Sequence, residues 1–255
     1  MTTSTAGPLE TMPEDWERAL AIVAHPDDME YGAAAAVSHW ADQGKEIAYL
    51  LVTRGEAGID GMAPAEATRV REEEQRASCA VVGVRAVEFL DHRDGVIEEG
   101  VALRRDLVGA IRRHRPELLI TLNHHDTWGP GPGSPWNTPD HRAVGRTTLD
   151  AAGCAGNRWI FPEQLTEEGL EPWGGVRWVA VAGSPRATHA VGVSDDPYAK
   201  AVASLAEHRA YIEGLGVEKE PREYAREFIE QMLRGAGEQL GTELAVGFEL
   251  YPQGW

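Results

Sequence analysis

The chain has 255 residues, 42% of them hydrophobic and 25% charged, with a formal net charge of -17. Such a length and balance describe one large or two small soluble domains with a core that needs no disulfide staples. The acidic excess argues against nucleic acid or an anionic membrane as partner, since both are normally met by a basic face. No run of about 18 apolar residues is present for a membrane span, and the polar stretch Met1–Pro13 lacks an apolar signal core and is expected to fray. Cys79 and Cys154 lie far apart inside helical patterns, as small core residues of a reducing compartment do. The expectation is a cytoplasmic protein; a homo-oligomer stays open.

Short apolar runs alternate with helical stretches, the pattern of βαβ units on a parallel sheet. The first strand is Leu20–Ala24, followed by an alanine-rich helix from about Tyr31 to Gln43 that Gly44 stops. A second strand, Glu46–Thr53, leads to a loop with three glycines, Arg54–Pro64, and a long helix, Ala65–Val82. A third strand, Ala86–Leu90, precedes the charged loop Asp91–Gly95 and a helix over Val101–Arg115 that Pro116 ends. Its basic end, Arg112-Arg113-His114-Arg115, suits the helix dipole.

After a fourth strand, Leu118–Asn123, the rhythm breaks into HHDTWGPGPGSPWN, residues 124–137. A loop this long inside a compact domain is functional or disordered. Thr138-Pro139-Asp140-His141 then restarts a helix to about Ala155: an N-cap threonine, proline at the first helical position, an acid in the first turn. Strands over Val176–Ala182 and Ala190–Val193, helices over about Asp196–Leu215 and Pro221–Leu233, and a last strand within Glu243–Tyr251 complete the pattern. With no repeat and no dividing linker, the reading is one domain over 1–255, its core at about 18–155 and a C-terminal elaboration at about 156–255.

In a doubly wound sheet the loops after parallel strands gather on one edge. There they bring together His25-Pro26-Asp27-Asp28, then Arg54, Glu56 and Arg71, then Asp91, His92 and Asp94, then His124, His125, Asp126, Asp140 and His141. His25-Pro26-Asp27-Asp28 reads either as a turn or as the start of a metal site. A hydrolytic zinc site needs three His or carboxylate ligands and an open position for water. His25 and Asp28, three apart, suit two ligands bent around one turn, the fourth loop is the natural source of a third, and Asp27 is left free to take a proton. Two histidines and one carboxylate suit iron(II) or another divalent ion as well as zinc. No G-x-S-x-G elbow and no G-x-G-x-x-G fingerprint is present, which argues against a serine hydrolase of that type and a dinucleotide cofactor.

The elements AHPDDME, TRGEAG, the Arg71/Glu74 pair, Asp94-Gly95 and Pro139-Asp140-His141 together resemble the PIG-L or LmbE-like deacetylases, over roughly residues 18 to 155. The resemblance implies a Rossmann-like three-layer α/β sandwich with a mostly parallel sheet and the site at its C-terminal strand ends. It implies a zinc-dependent amidohydrolase that removes an acetyl or similar acyl group from an N-acetyl sugar, such as a GlcNAc-containing metabolite or natural-product intermediate. By the resemblance His25, Asp28 and His141 would bind the metal, Asp27 would act as general base, and Arg71 and Asp94 would line the sugar pocket; from their place at the same sheet edge, Arg54, Glu56, Thr138 and Asp140 are expected as further substrate contacts. One position departs from the family pattern: Thr138 stands where a histidine usually stabilises the tetrahedral intermediate. A hydroxyl donates one hydrogen bond but carries no positive charge. Either His124, His125 or Arg54 substitutes, or the rate or substrate differs, or the chain is a weak or inactive metal- and sugar-binding relative. Trp128 and Trp136, flanking the Gly/Pro loop, could stack a sugar ring or pin the loop.

Overall fold

The computed structural model describes residues 7–254. One eight-stranded sheet runs through them: β1 (Glu10–Thr11), β2 (Arg18–Val23), β3 (Glu46–Leu51), β4 (Ala86–Phe89), β5 (Leu118–Leu122), β6 (Trp178–Ala182), β7 (His189–Gly192) and β8 (Ala245–Pro252). Their spatial order is β1-β7-β8-β6-β5-β2-β3-β4. All pairings are parallel except those of β8, which runs antiparallel to β6 and β7. Strands of the C-terminal hundred residues thus extend the sheet begun by the first 122.

The strands are apolar at nearly every position because both faces are covered. Side chains alternate between two cores: Ala19, Ala21 and Val23 of β2, Ile47, Tyr49 and Leu51 of β3, and Leu118 and Ile120 of β5 enter one; Leu20, Ile22, Ala48, Leu50 and Leu119 enter the other. The first face is covered by α2 (Ala34–Asp42), α7 (Asp195–Ala206) and α9 (Pro221–Leu240), with α1 (Asp28–Gly32) and α3 (Pro64–Val81) beside them; the second by α4 (Val101–His114) and α5 (Pro139–Cys154). Two short helices, α6 (Glu163–Thr166) and α8 (Arg209–Gly214), complete the set. None of the described helices is long and apolar enough to cross a membrane.

Several boundaries differ from the sequence reading, each for a local reason. The stretch expected to fray holds β1, which pairs with β7, and buries Leu9 and Met12; residues 1–6 lie outside the described part. The alanine-rich helix starts earlier, at Asp28, and is interrupted at Ala33 (φ -148°, ψ 8°). The helix expected over Asp196–Leu215 is broken at His208 (φ -78°, ψ 55°), whose fully buried ring turns inward beside Glu30. That break re-aims α8. The last helix continues to Leu240 through Gly235 and Gly237; at Gly237 a Cβ would lie 2.6 Å from the Glu243 carbonyl, so the small residue serves close packing rather than a stop.

The chain direction reverses around β2, which has β3 on one side and β5 on the other. Adjacent connections leave to opposite faces there, which opens a crevice beyond the carboxyl ends of β2 and β5.

Candidate active site

His25, Asp27 and Asp28 follow β2 directly, and α5 delivers His141 across the crevice. His141 Nε2 lies 3.0 Å from Asp28 Oδ1, and the two imidazole rings meet edge to face at 5.1 Å. His25, Asp28 and His141 offer ligand atoms all within 4.8 Å of one another. Two imidazoles and a buried carboxylate converging so closely fit a divalent cation of intermediate softness.

Each ligand candidate is oriented from behind. His25 Nε2 is 3.1 Å from Asp94 Oδ1 and 3.1 Å from Asp140 Oδ2, which leaves Nδ1 on the Asp28 side, 3.6 Å from Asp28 Oδ2. Asp140 is itself fixed, its carboxylate accepting from the Gly95 and Ile97 amides at 2.7 and 3.1 Å. His141 Nδ1 is 3.0 Å from Asn137 Oδ1, so Nδ1 carries the proton and Nε2 presents its lone pair to the crevice. Asn137 in turn donates to the Asn123 and His125 carbonyls (2.7 and 2.9 Å), clasping the base of the 124–137 loop. Burial alone favours a neutral His25, but the carboxylates of Asp28, Asp140 and Asp94 outweigh it and raise its pKa well above the ordinary value. Burial likewise opposes ionisation of Asp28, and the two histidines, His141 first, overcome it and hold the carboxyl well below its usual range.

Asp27 occupies the left-handed region (φ 82°, ψ -19°), a conformation that costs an L side chain about 1–2 kcal/mol. Two neighbours hold it there. Its N–H donates to Gln75 Oε1 at 2.8 Å, and its Oδ2 accepts from Arg71 Nη2 at 2.7 Å. Arg71 is fully buried, donates also to the Pro26 and Gly55 carbonyls (2.6 and 3.3 Å), and stacks on Tyr211 with its guanidinium 4.3 Å from the ring centre. The glycines of TRGEAG make this slot: a Cβ on Gly55 or Gly58 would lie 2.4 or 2.2 Å from Arg71 Nη1, and Gly55 has φ +68°. Burial raises the Asp27 carboxyl, the Arg71 charge lowers it, and the balance is a value of about 6.

The crevice opens into a cavity of about 830 Å³ lined by His25, Asp27, Asp28, Arg71, Asp94, Thr138, Asp140 and His141 among others. Two expected substrate contacts are placed elsewhere. Arg54 turns away, paired with Glu72 and with Asp91 (2.9 Å), over the Phe89 ring. Glu56 accepts from the Asp94 amide at 2.9 Å and so braces the loop that carries Asp94. Glu74 does not pair with Arg71 either; it accepts from the Ala210 amide at 2.6 Å, at the start of α8. His92 is spent on Asp106 at 2.9 Å.

Thr138 lines the cavity and also caps α5, its Oγ1 accepting from the His141 amide at 3.2 Å. The expected substitutes for a histidine there are not in the cavity lining. His125 is bonded to Glu249 at 2.6 Å and its ring lies against that of His124. Burial and the neighbouring His125 push the His124 imidazole down to about 4, so it is neutral at pH 7. Of the loop's indoles, Trp128 lines the cavity, its ring centre 5.6 Å from that of His141 and the two rings nearly perpendicular, whereas Trp136 is largely exposed and stacks under Arg142.

Sequence reasoning missed Asn137, Gln75 and the side chains of α8 and α9. Asn137 was signalled only by its place just before an N-cap at the end of a Gly/Pro loop. Gln75 sits one turn after Arg71 on the same helix face. The residues Tyr224, Phe228 and Met232 recur every four positions, which looks the same whether such a stripe faces a core or a cavity.

Residues 20–152, half of the chain, match the model of the family PIG-L: GlcNAc-PI de-N-acetylase. Among curated proteins, the diacetylchitobiose deacetylase of Thermococcus kodakarensis is 31% identical over 144 residues, 56% of this chain and 51% of that protein. The 1D-myo-inositol 2-acetamido-2-deoxy-alpha-D-glucopyranoside deacetylase of Thermobispora bispora is 29% identical over 185 residues, 61% of this chain and 56% of that protein. The matches thus span about half the length of these relatives. Among solved structures, the N,N'-diacetylchitobiose deacetylase of Pyrococcus horikoshii superposes with a TM-score of 0.80 at 23% identity, covering 93% of this chain and 85% of that one, which establishes the common fold. On the family match, over the strands and loops that build the cavity floor, the chain belongs to the PIG-L (GlcNAc-PI de-N-acetylase) family.

Proposed function

We propose that this protein is a metal-dependent amidohydrolase that removes the acetyl, or a similar acyl, group from the nitrogen of a small amino sugar. The observation that carries the reading is the convergence of His25, Asp28 and His141 beside a buried, unliganded carboxylate, Asp27, in one cavity. The names of the relatives, N-acetyl sugar deacetylases, support the reaction class.

His25, Asp28 and His141 would hold the ion, zinc or another divalent metal. When bound, it supplies Lewis acidity to the amide carbonyl and makes water nucleophilic near neutral pH. Asp27 accepts the proton of the attacking water as the new C–O bond forms. The same carboxyl returns that proton to nitrogen as the C–N bond breaks, releasing acetate and an amine. A base with a pKa near the working pH is suited to both transfers, and burial moves Asp27 in that direction. Arg71 and Gln75 aim Asp27, and Arg71 also lines the cavity. Thr138 Oγ1 accepts from the His141 amide, so its proton remains available for the developing oxyanion. Asp94 lines the cavity and would accept from sugar hydroxyls with the lone pairs left over by His25 Nε2 at Oδ1 (3.1 Å) and the Ala57 amide at Oδ2 (2.9 Å).

The test is metal content and acetate release from N-acetylglucosamine derivatives before and after chelation. Activity should vanish with the metal and return when zinc is restored. Undiminished amide hydrolysis by the metal-free protein refutes the reading.

A further inference from the structure

The cavity is chemically divided. Its floor carries the carboxylates and imidazoles. Every side chain that α8, the Leu215 that follows it and α9 contribute to its lining is aromatic or aliphatic: Tyr211, Leu215, Tyr224, Phe228 and Met232. Tyr211 brings a hydroxyl to the lining, but two of the three cavity tyrosines are paired. The hydroxyls of Tyr224 and Tyr31 are bonded to each other at 3.1 Å, and Tyr31 meets Phe228 edge to face at 4.9 Å, so ring faces and edges are what a ligand meets there.

Three large apolar residues of the lining are exposed: Trp128 (37%), Leu215 (48%) and Phe228 (39%). Large apolar side chains exposed together at a cavity mark a surface that a ligand covers. The volume of about 830 Å³ lies toward the top of the ~300–1,000 Å³ range of sites for drug-sized ligands, more than one monosaccharide fills. A second sugar would lie poorly here. Sites that stack a sugar on an aromatic face also need partners for the several hydroxyls at the ring edge, and hydroxyls buried without partners are costly; the tyrosine hydroxyls are the only polar side-chain groups that α8 and α9 bring to the lining.

We infer that the substrate is an amino-sugar amide bearing an extended apolar group, an acyl chain on nitrogen longer than acetyl or an alkyl or aryl group elsewhere on the sugar, seated against α8, α9 and Trp128. This rests on the amidohydrolase reading above and specifies its substrate class. An apolar pocket discriminates by tenfold or more for each well-seated methylene.

The experiment compares kcat/KM for N-acetylglucosamine, N-hexanoylglucosamine, the hexyl and phenyl β-glycosides of N-acetylglucosamine, and di-N-acetylchitobiose, with calorimetric binding of the two hexyl compounds alongside. At least one apolar arm should exceed N-acetylglucosamine tenfold or more, through KM, and which arm gains locates the apolar group relative to the scissile bond. Phe228→Ser and Leu215→Ser, at partly exposed positions, should each cut that preference severalfold while a thermal melt shows the protein folded. Equal rates across the apolar series, or chitobiose as the best substrate, overturn the proposal. If no amide is hydrolysed at all, the amidohydrolase reading fails by itself: the apolar site then stands if a hexyl compound binds and Phe228→Ser weakens it, and falls if neither binds.

Discussion

Replacing Arg71 by methionine tests how the proposed base is held. Arg71→Met keeps most of the side chain's volume against Tyr211 but deletes the guanidinium that pairs with Asp27 at 2.7 Å inside the protein. Removing one partner of a buried ion pair costs about 3–5 kcal/mol, because the other is left as an uncompensated charge. For a domain of this size each kcal/mol lowers the melting temperature by about 2–4 °C, so a fall of roughly 10 °C is expected in a thermal melt followed by circular dichroism. The penalty depends on pH with a definite sign. Burial already raises the Asp27 carboxyl from 3.8 to about 6, so the folded state holds a proton that the unfolded state has lost, and stability declines as pH rises across that interval. Deleting the Arg71 charge extends the decline upward. The loss in Arg71→Met should therefore be larger at pH 8 than at pH 5.5. The double variant Arg71→Met with Asp27→Asn removes the orphaned charge and should recover half or more of the lost stability. A single-variant loss below 1 kcal/mol, or a double variant no better than the sum of the singles, refutes the clamp.

Asp27→Asn alone keeps an oxygen for Arg71, so the fold and metal content should persist while kcat falls about 10²- to 10⁴-fold; a loss under tenfold removes Asp27 as the base. Asn137→Ala frees His141 Nδ1 and the base of the 124–137 loop. Metal affinity measured by chelator competition should drop about 10- to 100-fold, and an unchanged affinity would show that Asn137 only secures the loop. At Thr138, serine should retain both cap and hydroxyl, whereas alanine should cost about 1 kcal/mol as a lost cap and about 10²- to 10³-fold in kcat as a lost donor. A Thr138→Ala protein that is less stable but equally fast confines the residue to capping.

The site was legible in sequence wherever its residues are neighbours in the chain. His25 and Asp28 sit on one turn, and Thr138-Pro139-Asp140-His141 is a helix start whose cap and ligand are set by local spacing. Contacts between distant segments were not legible. Arg54 and Arg71 both follow the second strand, and nothing local told which would be buried; the glycine slot at Gly55 and Gly58 admits only the guanidinium arriving from α3. Arg54 found nearer carboxylates in Glu72 and Asp91. His124 and His125 were equally attractive as cavity residues, and the pairing of His125 with Glu249, on a strand 124 residues later, took them out.

By itself, then, the sequence determined the alternation of strands and helices, the loops that meet at one sheet edge, and the identity of the donor atoms available there. Those follow from hydrophobic period, caps and breakers, which act over a few residues. Which donors converge, which arginine aims Asp27, and the apolar character of the cavity beyond them were decided only by tertiary packing. The break at His208 and the packing of α9 bring residues 211–232 over a site built by residues 25–141, and the energy that does so is burial between segments far apart in the chain, which no local pattern encodes.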